Sequence, residues 1–472
     1  MKDNPYRQDK EDFEDMLRQY ENLRNGTSYS FIEEESFEKL IDYFDEKDDL
    51  NAAMEAADFA IDQYPYSSGL QIKKADLLIS SRKYNDALDL LEKAELLDRT
   101  DINLYILKTE AYLAKDEQQK AAALLEEAIQ MFEGEEKLEL LFELADVYDD
   151  YEEFDKVYNC LAMILEIDPE NDEALYKICF WTDFTGRNEE GIKLHKSILD
   201  DFPFNELAWF NLGAAYQGLK LYEKAVDAYQ YAIAIDEKFD YAHRNLGDAY
   251  LRLHKYKESI EALQKVLELT RPEDVVYEAI GHCYDKMKNY AQARFNYRKA
   301  SHLSPEDSHL YYKIACTYMN EMQWDAAIKN LEAAMRIHRS QPDYNFALAK
   351  CYMHLNKVKE AVIHFSAFIK ARPRNIKGWK ELITCLYKAG FYEEAAEQVD
   401  NAIKITENKF ILLFYKSAIC FALGKSKEAI LLLESAMIKD AKHIKQFIEL
   451  NPALLQNQQV VEVIAKYKKS KK

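Results

Sequence analysis

The chain has 472 residues, 48% of them hydrophobic and 13% aromatic with 33 Tyr, yet it holds only 12 Gly and 9 Pro. That composition supplies a large core and excludes a disordered chain or one rich in turns and loops, leaving an all-helical array as the best fit. A formal net charge of −22 argues against nucleic acid as a partner, because phosphate binding draws on a basic surface.

The opening "MKDNPYRQDKEDFEDMLRQY" is charged and lacks the apolar core of a secretory signal, so a cytoplasmic location is the expectation. Residues 9–24 place Phe13, Met16, Leu17, Tyr20 and Leu23 on one helical stripe. Residues 1–33 are therefore expected to form a capping helix and a loop. From residue 34 onward the sequence keeps a period of 34, which signals stacked helical hairpins. Units start at 34, 68 and 102 and, after the two extra residues Glu136 and Lys137, at 138, 172, 206, 240, 274, 308, 342, 376 and 410. The expected divisions are 34–135, three units, and 138–443, nine units.

The twentieth position of each unit is small: Ala53, Ala87, Ala121, Gly191, Ala225, Ser259, Ala293, Ala327, Ala361, Ala395 and Ala429, with Val157 the exception. A close crossing of two helices demands this, since bulky side chains would hold the backbones apart. Pro65, Pro169, Pro203, Pro305 and Pro373 all fall at position 32, where one helix must stop before the next begins. The stretch 410–424 is apolar but interrupted by Lys416 and too short to span a bilayer. Beyond 443, Pro452 is expected to open a last helix carrying Leu454, Leu455, Val461, Ile464 and Ala465, a C-terminal cap over 444–472 that ends in the basic tail "KYKKSKK".

Residues 206–239 carry Trp209, Leu212, Gly213, Tyr216, Ala225, Tyr229 and Ala232 at positions 4, 7, 8, 11, 20, 24 and 27. The pattern resembles the tetratricopeptide repeat, and the resemblance covers 34–443 as twelve units. Its weakest units are those at 68 and 102, which put Lys74 and Lys108 at position 7. The resemblance implies a right-handed superhelical solenoid of antiparallel helix pairs whose first helices line a concave groove through positions 2, 5, 9, 12 and 13.

Carried over residue by residue, the map makes the start of the groove acidic: Glu35, Glu38, Asp42, Asp45 and Glu46, then Glu139, Phe142, Asp146, Asp149 and Asp150. Further on it becomes aromatic, with Tyr176, Phe180, Phe184 and Phe210, and then more basic. That last part comprises Tyr241, Arg244, Arg252, Lys286, Tyr312, Phe346, Lys350, Lys377, Lys380, Tyr387 and Lys388. Residues 1–200 hold 22 Lys+Arg against 51 Asp+Glu, while the remainder holds 40 against 33. Such an asymmetry gives a long-range field that orients a charged partner. The clamp by which some members of the family hold a chaperone carboxylate is not reproduced, since Phe210 and Ala214 stand where it needs Lys and Asn.

Phosphate loops, nucleophile elbows, HExxH and clustered metal ligands are all missing from the sequence. No catalytic, cofactor or metal site is therefore expected. The seven cysteines form no CxxC pair, and Cys179, Cys283, Cys316, Cys351, Cys385 and Cys420 follow the repeat at positions 8 to 11 as small packable residues. The reading is a non-enzymatic scaffold that binds a protein or peptide in its groove. Its alternatives are a binder of RNA or ribonucleoprotein through the basic half and a regulatory subunit of an enzyme complex. Charge-driven self-association, acidic end to basic end, is also open.

Overall fold

The computed structural model describes residues 5–26, 31–406 and 409–469; the end of the basic tail, 470–472, lies outside them. Among the described residues the chain is all α-helix with two short 3-10 turns and no strand. It forms two compact bodies, 1–242 and 243–472. Within the register, first helices begin at 34, 68, 102, 134, 172, 206, 240, 274, 308, 342, 376 and 409. Second helices begin at 50, 84, 118, 154, 188, 222, 256, 290, 324, 358, 392 and 426. Glu136 and Lys137 lie inside the helix Gly134–Asp150, the longest first helix of the series, while the preceding second helix Gln118–Ala128 is shortened. The two-residue insertion thus extends a helix instead of opening a loop.

Three local devices repeat with the period. At position 34, Ser67, Asp101, Asn171, Asn205, Asp307 and Asn375 each accept a hydrogen bond from a backbone N–H of the first helical turn, satisfying a donor that the helix cannot. At position 15 the backbone between paired helices is left-handed in all twelve repeats, from Asp48 (φ 57°) to Gly424 (φ 77°). Only Gly186, Gly390 and Gly424 meet that conformation with glycine, although it costs other residues free energy. The following N–H closes the turn, as Lys83 does on the Leu78 carbonyl at 2.8 Å. Finally, the position-4 side chain donates to the position-32 carbonyl of the preceding repeat: Trp209 to Pro203 at 2.9 Å, Trp379 to Pro373 at 2.8 Å, Tyr105 to Arg99 at 3.2 Å.

The helix crossing explains the small residues. Every position-20 residue is buried, and at position 8 a Cβ on Gly213 or Gly281 would stand 2.6 or 2.7 Å from the ring of Tyr229 or Tyr297. The two lysines at position 7 are neutralised by acids of the preceding second helix. Lys108, only 4% exposed, pairs with Glu95 at 2.5 Å, and Lys74 pairs with Asp58. Pairing is what makes a buried ammonium tolerable.

Both ends are covered by non-repeat helices. In the helix Pro5–Arg24, Tyr20 is buried, with Met16, Leu17 and Leu23 half-buried beside Phe44 and Phe59, and Phe13 meets Tyr43 at a 4.9 Å centroid distance. At the other end a helix Ile444–Leu450, which the sequence reading did not anticipate, buries Ile444, Phe447 and Leu450. It packs against the first helices Ile376–Lys388 and Lys409–Ala422. Pro452 opens a 3-10 turn, Pro452–Gln456, and the last helix, Gln458–Lys469, buries Val460 and Val463. The expected stripe needs correction: Leu455, Val461 and Ala465 are exposed, and only Leu454 and Ile464 of that set pack, half-buried, against the core.

Candidate interaction surface

The first helices present the mapped residues, and of these only Tyr387 is buried. Within the body 1–242, Glu35, Asp42, Asp45, Glu46, Asp146, Asp149, Asp150, Tyr176, Phe180, Phe184 and Tyr241 are exposed, with Glu38, Phe142 and Phe210 half-buried. Within 243–472, Arg252, Lys286 and Lys388 are exposed and Arg244, Tyr312, Phe346, Lys350 and Lys380 half-buried.

The acidic part is longer than the mapped residues. Position 9 carries Asp42, Asp76, Glu110 and Asp146 in four successive repeats, all exposed, and then Phe180. Asp76 is held above the usual carboxylate range by desolvation against the packed helices and then by Asp45; Glu110 is held up by desolvation and Asp76. Glu143 rises for the same first reason, with Asp146, Glu139 and Glu110 adding repulsion. Asp146 also rises through desolvation, against the opposing pull of Lys177. The same position rule applied to the repeats at 68 and 102 finds Asp76 and Glu110, which the map passed over.

The aromatic part is built on the helix Asp172–Phe184, whose Tyr176, Phe180 and Phe184 follow at one-turn spacing on a single stripe. They are 65%, 59% and 56% exposed, too much for core residues of their size. Phe180 and Phe184 stack at 5.5 Å. Behind them Trp181 meets Phe180 edge-on at 5.0 Å and stacks on Phe154 at 5.4 Å, and Phe154 meets Phe184 at 4.9 Å. Phe154 and Trp181 were not among the expected residues. They hold Phe180 and Phe184 in place, and only the fold brings the second helix of one repeat against the first helix of the next.

The basic part is largely engaged with itself. Arg244 makes two hydrogen bonds of 2.9 Å to the carboxylate of Glu273 and holds it below its usual range. Arg252 pairs with Asp248 at 3.5 Å. Phe346 packs on Phe365 and Phe368 under the Lys377 ammonium, 4.8 Å from its ring. Lys350 and Lys388 both lower the pKa of His354, after desolvation. Tyr387, expected on the open face, is 6% exposed and accepts a 3.0 Å hydrogen bond from Asn451. The C-terminal cap covers that place.

All seven cysteines are free thiols. Burial pushes Cys160, Cys179 and Cys351 up to about 12, so these three stay protonated and unreactive near neutral pH. Among the described residues no three His, Cys, Asp or Glu side chains are grouped to hold a metal ion. Nor is any described helix long and apolar enough to cross a membrane.

A register of 34-residue helix pairs, with a small residue at all but one crossing, defines an α-helical repeat array. Residues 184–238 match the tetratricopeptide repeat model, and residues 214–347 match the Tetratricopeptide repeat protein 21 C-terminal ARM domain. By these matches and by its repeat register, the chain carries tetratricopeptide repeats.

Similar solved structures include the C-terminal part of a TPR repeat-containing protein from Cytophaga hutchinsonii, at 14% identity, 54% of this chain, 99% of that one and a TM-score of 0.44. Another is the APC/C hetero-tetramer Cut9–Hcn1, at 12%, 82%, 96% and 0.36. A third is YrrB, described as a TPR protein with an unusual peptide-binding site, at 16%, 39%, 95% and 0.35. At these scores the likeness carries no argument about partner or activity.

Proposed function

We propose that the chain is a non-enzymatic scaffold, acting in the cytoplasm, that binds a segment of another protein along the face of its first helices. In this reading 34–135 and 138–443 are the working repeats, and 1–33 and 444–472 are end covers. The observation that carries it is the row of Tyr176, Phe180 and Phe184, three large exposed rings of which Phe180 and Phe184 rest on a packed aromatic base. Exposed aromatics in a fixed arrangement are the residues on which interface energy concentrates. The ribonucleoprotein alternative is weakened because Arg244 and Arg252 already face carboxylates.

A photo-crosslinking amino acid placed at 180 in the full-length protein, and another at the exposed Phe295 on a second helix, tests the reading. A protein captured from native lysate at 180 and not at 295 is expected. Capture at 295 alone, or at neither position, would overturn it.

A further inference from the structure

The face around Tyr176 contains two adjacent junctions between first helices, and their contrast identifies a ligand chemistry. At the first, Lys177 reaches back from the helix Asp172–Phe184 to the helix Gly134–Asp150. Its ammonium lies 5.1 Å from the centroid of Phe142, 2.8 Å from Glu173 and 3.9 Å from Asp146. This is a built example of how the face holds a cation: an aromatic ring at position 5 and carboxylates from two helices.

At the next junction the aromatic ring is Tyr176, again at position 5, and the residue at the place of Lys177 is Asn211. Asn211 is buried and turned inward, donating to the Leu175 carbonyl at 2.7 Å. A cleft of ≈ 440 Å³ opens there, lined by Asp172, Glu173, Glu206 and Asp236 over apolar walls that include Tyr176 and Phe239. Phe239 is braced by Phe210 at 5.0 Å. Glu173 is shared with Lys177, and an oxygen of Asp236 accepts the N–H of Lys238 in its turn. No lysine or arginine lines the cleft.

We propose that this cleft takes the side chain of a lysine or arginine from a basic, extended peptide segment, whose next apolar residue packs on Phe180 and Phe184. The inference rests on the first-helix face being the docking surface, and it adds the chemistry of the occupant. An aliphatic stem suits the Tyr176 and Phe239 walls, and the cationic head meets the acidic lining. Tyr176 and Phe180 are one helical turn apart, about 6 Å along the axis. That matches the roughly 6.6 Å between residues i and i+2 of an extended chain, so the expected pattern is Lys or Arg, any residue, then Leu or Phe. The carboxylates at position 9 of the four preceding repeats raise the encounter rate of such a segment.

Fluorescein-labelled peptides of about a dozen residues carrying Arg-x-Leu, and the same peptides with Arg replaced by Gln or by Glu, are titrated into the full-length protein by anisotropy. The Arg peptide is expected to bind tightest. Its affinity should fall roughly tenfold or more in D172N/E206Q and in Y176A/F180A, and by less than about threefold in E35Q/E38Q. Circular dichroism confirms that the variants fold.

Equal binding of the Gln or Glu peptide, lost in Y176A/F180A, overturns the basic ligand and leaves the docking face standing. A loss in E35Q/E38Q as large as in D172N/E206Q overturns the cleft in favour of diffuse charge. Binding of no peptide overturns the proposal, and crosslinking at 180 then decides separately whether the face docks a protein at all. Sedimentation that shows a dimer dissociated by D172N/E206Q overturns it in favour of a second copy.

Discussion

Two stretches of first helix illustrate how the same register yields opposite surfaces. In the helix Asp172–Phe184 the face at positions 5, 9 and 13 is Tyr176, Phe180 and Phe184, and all three are exposed. In the helix Lys409–Ala422 the equivalent positions are Phe414, Ala418 and Ala422, of which Phe414 and Ala418 are fully buried. The difference lies in the chain that follows. The helix Ile444–Leu450 lies against the second of these faces and inserts Phe447, which meets Phe421 at 6.3 Å. Position in a repeat therefore says which side a residue is on, while exposure depends on whether the chain supplies its own cover.

The largest effect should come from removing that cover. Phe447 is 1% exposed, and Phe447→Asp places a charge without a partner in its site, a loss of about 3–5 kcal/mol. Hydrogen exchange should show protection lost over 376–450 and retained over 34–200, because repeats contact only their neighbours. Loss of protection throughout the chain would break the contrast between a covered end and a self-sufficient open face.

Next in size are the glycines at helix crossings, one in each body. Gly213→Ala and Gly281→Ala force a Cβ to within 2.6 and 2.7 Å of Tyr229 and Tyr297, and each should cost about 1–3 kcal/mol. Urea denaturation should give similar losses for the two, since the crossing is the same device in both bodies.

A smaller effect separates the bodies by pH. His195, at position 24 where Tyr229 and Tyr297 stand in their repeats, is fully buried with no hydrogen-bond partner for either ring nitrogen, and burial lowers its pKa to about 3. Its neutral form is the folded form, so its contribution is complete above about pH 6.5 and is lost as pH falls from there toward the folded value. The slope reaches at most about 1.4 kcal/mol per pH unit. The raised carboxyls of Asp76, Glu110 and Glu143 act in the opposite sense, since protonation relieves them as pH falls through their folded values. His195→Tyr should flatten the stability profile between about pH 7 and 5.5. An unchanged slope in that variant would remove His195 as its source.

The smallest expected effect is at the left-handed turns. Lys220→Gly in the first body and Met322→Gly in the second relieve φ values of 60° and 59° and should each add about 0.5–1 kcal/mol. The reverse change, Gly390→Ala at φ 84°, should lose a similar amount, about 1 kcal/mol. Thermal melts of the three variants check the sign.

Much of this molecule can be read from its sequence because its physics is local and repeated. A helix crossing needs a small residue at position 20, a helix end favours the prolines at position 32, and a first turn needs the caps at position 34. Eleven small residues at position 20, five prolines at position 32 and six caps at position 34 make the period unmistakable, and the same period places Tyr176, Phe180 and Phe184 on one stripe. The C-terminal cap has no second copy to average against. With Val460 and Val461 adjacent, choosing between them shifts the packed face by 100°, and periodicity alone chose wrongly. The helix Ile444–Leu450, seven residues long, is too short to show a period.

Sequence by itself determined the all-α class, the 34-residue register and the charge asymmetry between the halves, because each follows from residue types at fixed spacing. Only tertiary structure decided which charges are already paired, such as Arg244 with Glu273 and Lys108 with Glu95. It also decided which rings support the exposed stripe and which stretch of the first-helix face the chain closes with its own end. Those outcomes depend on distances between residues 13 to 64 positions apart, and spacing along a chain carries no such distance until the helices are packed.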